Sequence, residues 1–217
     1  MSNKLSDYKV KKIILCFCED IDATKTASLL GINRNTVNRY FNLFREAIFA
    51  ARLPADALSP GESGLDESYF GAKRIRGKRG RGAAGKTPVF GLLKRDGKVP
   101  VEVVKNCSRE QLMPHSRLYA RRLDHPTDGW KAYDGLILNG HTHHRVFHPK
   151  DEFARGKCHV NGIGSFWSFA KRRLAKFNGL TDDKFHLHLK ECEFRFNHRQ
   201  DDLADLVYKL FKNRHSK

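Results

Sequence analysis

Ile163, Phe166, Trp167, Ala170, Leu174 and Phe177 recur at helical spacing and lay one apolar stripe along a helix from about Gly162 to Phe177. A helix this apolar along one side must be covered, and the segments upstream of it read as strands. Leu65 to Gly71 suits one strand and Lys86 to Leu93 another, with Pro88 near its start, where a missing N–H is tolerated. Arg95-Asp96-Gly97 is a hairpin signal, and Val99 to Val104 supplies the return strand. The expectation is therefore a helix buried against a sheet. A helix from Ser108 to Leu118 (weakened by Pro114), a helix from Trp130 to Leu136, a short strand from His144 to Phe147 and a last helix from Asp183 to Phe196 complete an α/β arrangement with a mixed sheet.

Residues 7 to 49 carry a different period. Val10, Ile13, Ile14 and Phe17 form an amphipathic stripe, and a second helix from about Thr24 to Leu30 stops at Gly31. Asn33 can cap a third helix with Val37, Tyr40, Phe41 and Phe44 on its inner face and Arg34, Asn35, Asn38 and Arg39 outside. Helix, glycine turn and polar-faced helix is the pattern of a helix-turn-helix reader whose last helix enters the major groove. Pro54 and the run Ser59-Pro60-Gly61-Glu62-Ser63-Gly64 are turn-rich and aperiodic. The chain thus divides into an all-α domain at 1–50, a linker at 51–63 and an α/β domain at 64–217.

Lysine and arginine number 41 against 24 acids, a net charge of +17, which favours a polyanionic partner. RNA-binding proteins share that signature, so charge alone does not choose DNA. Ala72 to Lys86 interleaves glycines with Lys73, Arg74, Arg76, Lys78, Arg79 and Arg81, suited to close contact with phosphates beside Asp66. No apolar run reaches the ~18 residues a membrane span needs, and Met1 to Lys12 has no signal core, so a cytoplasmic protein is expected. Cys16, Cys18, Cys107, Cys158 and Cys192 are scattered, which fits reduced structural thiols. His141, His143, His144, His148 and His159 cluster near Cys158, yet no pair has zinc-finger spacing.

Three segments stand in order behind the N-terminal helices: L-D-E-S-Y-F-G (Leu65 to Gly71), T-D-G-W-K-A-Y-D-G-L (Thr127 to Leu136) and H-V-N-G-I-G-S-F-W-S-F-A-K-R-R-L (His159 to Leu174). With K-F-N-G-L (Lys176 to Leu180) and H-L-K-E-C-E-F-R-F-N (His188 to Asn197), they make the chain resemble bacterial insertion-sequence transposases of the DDE type from residue 8 to about 200. The resemblance implies a ribonuclease-H-like domain, as in retroviral integrases, behind a DNA-binding head. It implies that Asp66 bridges two divalent ions, usually Mg²⁺ (or Mn²⁺), and that Asp128 holds one of them. It implies that position 164 carries the third acid and that Lys171 grips the terminal DNA phosphate, with Arg172 and Lys176 nearby. Carboxylates suit this role because hard cations prefer oxygen ligands.

Two departures qualify the resemblance. Position 164 is Gly164, which has no side chain to ligate anything and weakens the helix by ~1 kcal/mol. With Asn161 as N-cap, position 164 is N3, where a glutamate would also serve a capping box. Glu67 should face the far side of its strand and is a poor substitute, and Asn161 could offer an oxygen only from a different position. The lead-in to Asp128, Ser116 to Pro126, is basic and broken by Pro126, so the strand presenting Asp128 is expected to be short, shifted or missing.

The reading is a nucleoid-associated bacterial transposase that binds terminal inverted repeats and target DNA, cleaves and transfers strands with Mg²⁺, and works as a homo-oligomer on DNA, without membrane or small-molecule substrate. Gly164 should impair it. The rivals are a catalytically dead DNA-binding repressor or interfering subunit, and a one-component regulator with a ligand-sensing α/β domain.

Overall fold

The computed structural model describes residues 5–51, 63–71, 86–94, 97–105, 125–127, 143–145, 154–155, 158–159, 161–177 and 180–215. The described chain is mixed α/β and mostly helical, and it forms two compact units, Leu53–Leu180 and the combination of Met1–Arg52 with Thr181–Lys217.

The first unit starts with α1 (Asp7–Cys18), α2 (Ala23–Leu30) and α3 (Arg34–Ala50). Local chemistry sets their ends. Asp22 accepts from the amides of Thr24 and Lys25 at 2.9 Å, Gly31 closes α2 in the left-handed region at φ 60°, and Asn33 caps α3 through the Asn35 amide at 2.8 Å. The expected stripes face inward: Val10, Ile13, Ile14 and Phe17 of α1 meet Val37, Tyr40, Phe41, Phe44 and Ile48 of α3. Phe17 packs edge-on against Phe41 and Phe44, with ring centroids 5.2 and 5.5 Å apart.

That core does not close on three helices. The second domain was expected to run unbroken from 64 to 217, but Thr181–Lys217 belongs with the N-terminal helices. It carries the expected last helix as α5 (Asp182–Asn197) and a helix that sequence reading missed, α6 (Leu203–His215). Val207 and Phe211 of α6 enter the same core, and Phe211 stacks edge-on to Phe44 at 5.3 Å. The signal for α6 was present, since Leu203, Leu206, Val207, Leu210 and Phe211 keep helical spacing and Asp202 caps the amides of Ala204 and Asp205.

Within this unit Glu191 of α5 is wholly buried between two guanidinium groups. Its Oε2 accepts from Arg45 Nε at 2.8 Å and its Oε1 from Arg195 Nε at 2.9 Å. Arg195 also donates to the carbonyls of Phe17 and Cys18 at the end of α1. A buried charge is tolerable only when paired and hydrogen-bonded, and this set of bonds joins α1, α3 and α5. Burial pushes the Cys18 thiol up to about 11, which fits the reduced, structural role expected of it.

The second unit is built on β1 (Ser63–Phe70), β2 (Thr87–Lys94) and β3 (Val101–Val103), antiparallel in the order β1-β2-β3. β3 is shorter than the expected Val99 to Val104. Backbone bonds from Leu92 to Pro100 and from Val104 to Pro88 nevertheless continue the pairing on either side, and Pro100 has no N–H to add. Gly97 takes φ 77°, as the hairpin signal demands. β4 (His125–Thr127) pairs in parallel with β5 (His143–Arg145), and β6 (Ala154–Arg155) pairs antiparallel with β7 (Cys158–His159). The mixed sheet expected thus consists, among the described residues, of three separate ladders, with β4 running close beside β1. α4 (Asn161–Leu174) follows. The helices expected at 108–118 and 130–136 lie outside the described residues.

Candidate active site

Strand pairing decides which way the first acid points. Asp66 stands directly across from Gly91 in the β1–β2 ladder, so it shares a sheet face with Ser68, Phe70, Val89 and Gly91. Glu67 pairs with Phe90 on the other face and is buried there, so it cannot replace an acid on the Asp66 side.

α4 covers the Asp66 face. Ile163, Phe166, Trp167 and Ala170 are all buried, as the stripe demanded. Trp167 lies across Gly91: a Cβ at that position would come 2.7 Å from two carbons of its ring and 3.1 Å from Ile163 Cδ1. The indole edge contacts Phe70 with ring centroids 6.0 Å apart, and Nε1 donates to Asp66 Oδ2 at 2.9 Å. The Glu67 amide donates to Oδ1 at 2.9 Å. Sequence reading used Trp167 only as an apolar residue and did not single out Gly91. A glycine in mid-strand, V-F-G-L-L, was the available signal for a close approach.

Gly164 is exposed on α4, and a Cβ added at this position would meet nothing within 4 Å. The helix begins at Asn161 itself, so position 164 falls one step deeper than the N3 place expected with Asn161 as the cap. Positions 164, 167 and 171 follow one another at three and four residues and line one side of the helix next to the buried stripe. Lys171 is exposed, with Nζ 5.7 Å from the ring centroid of Phe70, four residues along β1 from Asp66. Arg172 is exposed and donates to Ser168 Oγ, and Lys176 is exposed.

Asp128 lies outside the described residues, but β4 stops at Thr127, immediately before it. Among the described residues the strand leading to Asp128 spans three residues. Lys73, Arg74, Arg76, Lys78, Arg79 and Arg81 also lie outside the described residues. Arg34, Asn35, Asn38 and Arg39 are exposed on α3 in the other unit. Among the described residues no three His, Cys, Asp or Glu side chains are grouped to hold a metal ion. None of their helices is long and apolar enough to cross a membrane.

The model of the ISXO2-like transposase domain matches residues 60–197. An uncharacterized transposase-like protein of Haemophilus influenzae is 42% identical over 92 residues, 42% of this chain and 68% of that protein. An uncharacterized protein in transposable element ISH50 of Halobacterium salinarum is 31% identical over 185 residues, covering 76% of this chain and 61% of that protein. Among solved structures, the catalytic core domain of BIV integrase aligns at 13% identity and a TM-score of 0.44, over 71% of this chain and 97% of that one. The catalytic domain of Mos1 mariner transposase aligns at 11% identity and a TM-score of 0.28, over 96% and 98%.

Proposed function

The chain belongs to the ISXO2-like transposase domain family, and from that premise we propose that it binds the ends of a mobile element and carries out metal-dependent DNA strand cleavage and transfer. In this reading 64–180 forms the body of a ribonuclease-H-like catalytic domain, and α1 to α3 form a helix-turn-helix head. The observation that carries the proposal is the Asp66 carboxylate, held on β1 by Trp167 of α4, with an open position at 164 on the same helix.

The donors fit a hard divalent cation in kind but are one carboxylate short. Asp66 and Asp128 offer oxygen ligands of the sort Mg²⁺ or Mn²⁺ takes, while Gly164 offers none. Divalent ions, when bound, activate the attacking oxygen and stabilise the leaving oxygen of a phosphodiester. The chain's own residues do the rest. Asp66 presents a carboxylate of fixed orientation, and Lys171 supplies a cation on the same side of α4 as position 164 to hold a terminal phosphate. Arg172 and Lys176 extend that positive edge, and the basic run of 72–86 follows donor DNA next to β1. Arg34, Asn35, Asn38 and Arg39 would read base edges and phosphates from the N-terminal half of α3.

The missing donor at 164 makes this copy slow. Terminal inverted-repeat and target DNA are its partners, a homo-oligomer on DNA its working form, and the cytoplasm its place. The test is nicking of labelled inverted-repeat DNA in Mg²⁺ by the natural chain and by Gly164→Glu. A large rate gain in the variant, abolished by Asp66→Ala, is expected. Equal rates would sink the assignment of position 164, and tight DNA binding with no nicking by either protein would leave a repressor in its place.

A further inference from the structure

We propose that Trp167 is a positioning residue for Asp66: its indole N–H fixes one oxygen of the carboxylate, and Gly91 keeps open the space through which the ring reaches it. The inference rests on the reading of Asp66 as a metal-binding acid, and it assigns Trp167 and Gly91 a role in aiming that acid.

An aspartate's outer torsion is broad, so a carboxylate left to itself samples many orientations. Here both oxygens are engaged by donors of fixed position. Oδ1 takes the amide of Glu67, part of the strand itself, and Oδ2 takes the Trp167 indole from the covering helix. The indole nitrogen donates and never accepts, so the bond has one sense. Trp167 is only 6% exposed, which keeps water from competing for the bond. The donor is also neutral. A lysine or arginine in its place would grip the carboxylate as firmly but would repel an arriving cation.

Gly91 completes the arrangement. It lies directly opposite Asp66 in the ladder, and even a methyl group there would overlap the indole at 2.7 Å. Glycine in mid-strand is unfavourable for the strand, since it packs nothing and loses more freedom on folding. Its presence is explained by the ring that occupies its face. Phe70, two side chains along the same face, packs edge-on with the ring at 6.0 Å between centroids. Outer partners of this kind tune metal sites by aiming the ligand, and their loss lowers metal affinity by about 10- to 100-fold.

The experiment uses the full ¹⁵N-labelled chain and the two indole N–H signals, from Trp130 and Trp167, assigned by the one that vanishes in Trp167→Phe. The Trp167 signal should move and exchange faster with solvent deuterium in Asp66→Ala, while the Trp130 signal serves as control. In parallel, Mn²⁺ binding by Gly164→Glu should weaken about 10-fold or more on adding Trp167→Phe or Gly91→Ala. Unfolding midpoints would identify any variant that fails to fold, and the exchange measurement needs no variant of the tryptophan. An indole signal indifferent to Asp66 overturns the proposal, as does unchanged Mn²⁺ affinity in both well-folded variants. Absence of Mn²⁺ binding to Gly164→Glu, with the indole still tracking Asp66, would instead overturn the metal-site reading on which the transposase mechanism stands.

Discussion

Arg45 of α3 and Glu191 of α5 meet at 2.8 Å across 146 positions of chain, and neither side chain is accessible enough for water to replace the other. Arg195 takes the second oxygen of the same carboxylate. The helix proposed to read DNA is thus anchored from behind by a helix of the family-matched segment 60–197.

Removing Glu191 leaves two buried guanidinium groups without their shared anion. Glu191→Gln, similar in size, should cost about 3–5 kcal/mol in denaturant unfolding of the first unit. A loss below about 1 kcal/mol would show that the ion set contributes little and that the aromatic core carries the unit alone.

The same architecture makes the N-terminal helices dependent on the C-terminal ones. A chain stopped after residue 180 lacks Val207 and Phe211 and exposes Phe44, which is fully buried in the whole protein. Burying such a side chain is worth roughly 1.5–3 kcal/mol, and several are lost together. Circular dichroism and exchange measurements should find residues 7–50 largely unfolded in that fragment. A cooperative, helical transition at full-length stability would refute the dependence.

Restoring a side chain at position 164 should stabilise as well as activate. Gly164→Ala relieves a helix-interior glycine with open space for the methyl group, a gain of about 1 kcal/mol. It should raise the midpoint without raising Mg²⁺-dependent nicking, separating the helix effect from the ligand effect that only Gly164→Glu supplies. A destabilised alanine variant would mean that the glycine is needed for its backbone.

DNA contact by α3 has a salt signature. Arg34→Ala with Arg39→Ala should weaken inverted-repeat binding and flatten log affinity against log salt by about one for each phosphate contact removed. Both side chains are exposed, so unfolding midpoints should not move by more than about 0.5 kcal/mol. Unaltered affinity would take DNA reading away from this helix.

Acid stability should report the seam between α1 and α6. A hydrogen bond from Lys212, then one from Tyr208, holds the Asp7 carboxyl below its ordinary range. A depressed folded-state value means that this contribution is present above the ordinary carboxylate range and disappears as pH falls through the folded value. Asp7→Asn should therefore lower the midpoint at neutral pH and leave it nearly unchanged in strong acid. An equal loss at both pH values would contradict the linkage.

Much of the site was legible because its information is local. The stripe from Ile163 to Ala170 announced a covered face, alternation put Glu67 away from Asp66, and the blank at 164 was visible as a residue type. The basic face of α3 followed from its caps and period. Its role as a DNA reader was an expectation from the helix-turn-helix pattern and the basic charge, whereas the metal chemistry came from resemblance.

Caps, periods and turns are set by neighbours within a few residues, so the sequence by itself determined roughly where α1 to α5 and β1 to β3 form and which sides of α1, α3 and α4 are apolar. Which surfaces meet was decided only in three dimensions. Nothing near Glu191 in the chain announces Arg45, and in a string of letters K-E-C-E-F-R looks like a solvated helix face. Nothing near Asp66 announces Trp167, 101 positions away. Long-range pairing depends on the free energy of burying whole faces together, and that sum is taken over the folded chain rather than over any segment of it.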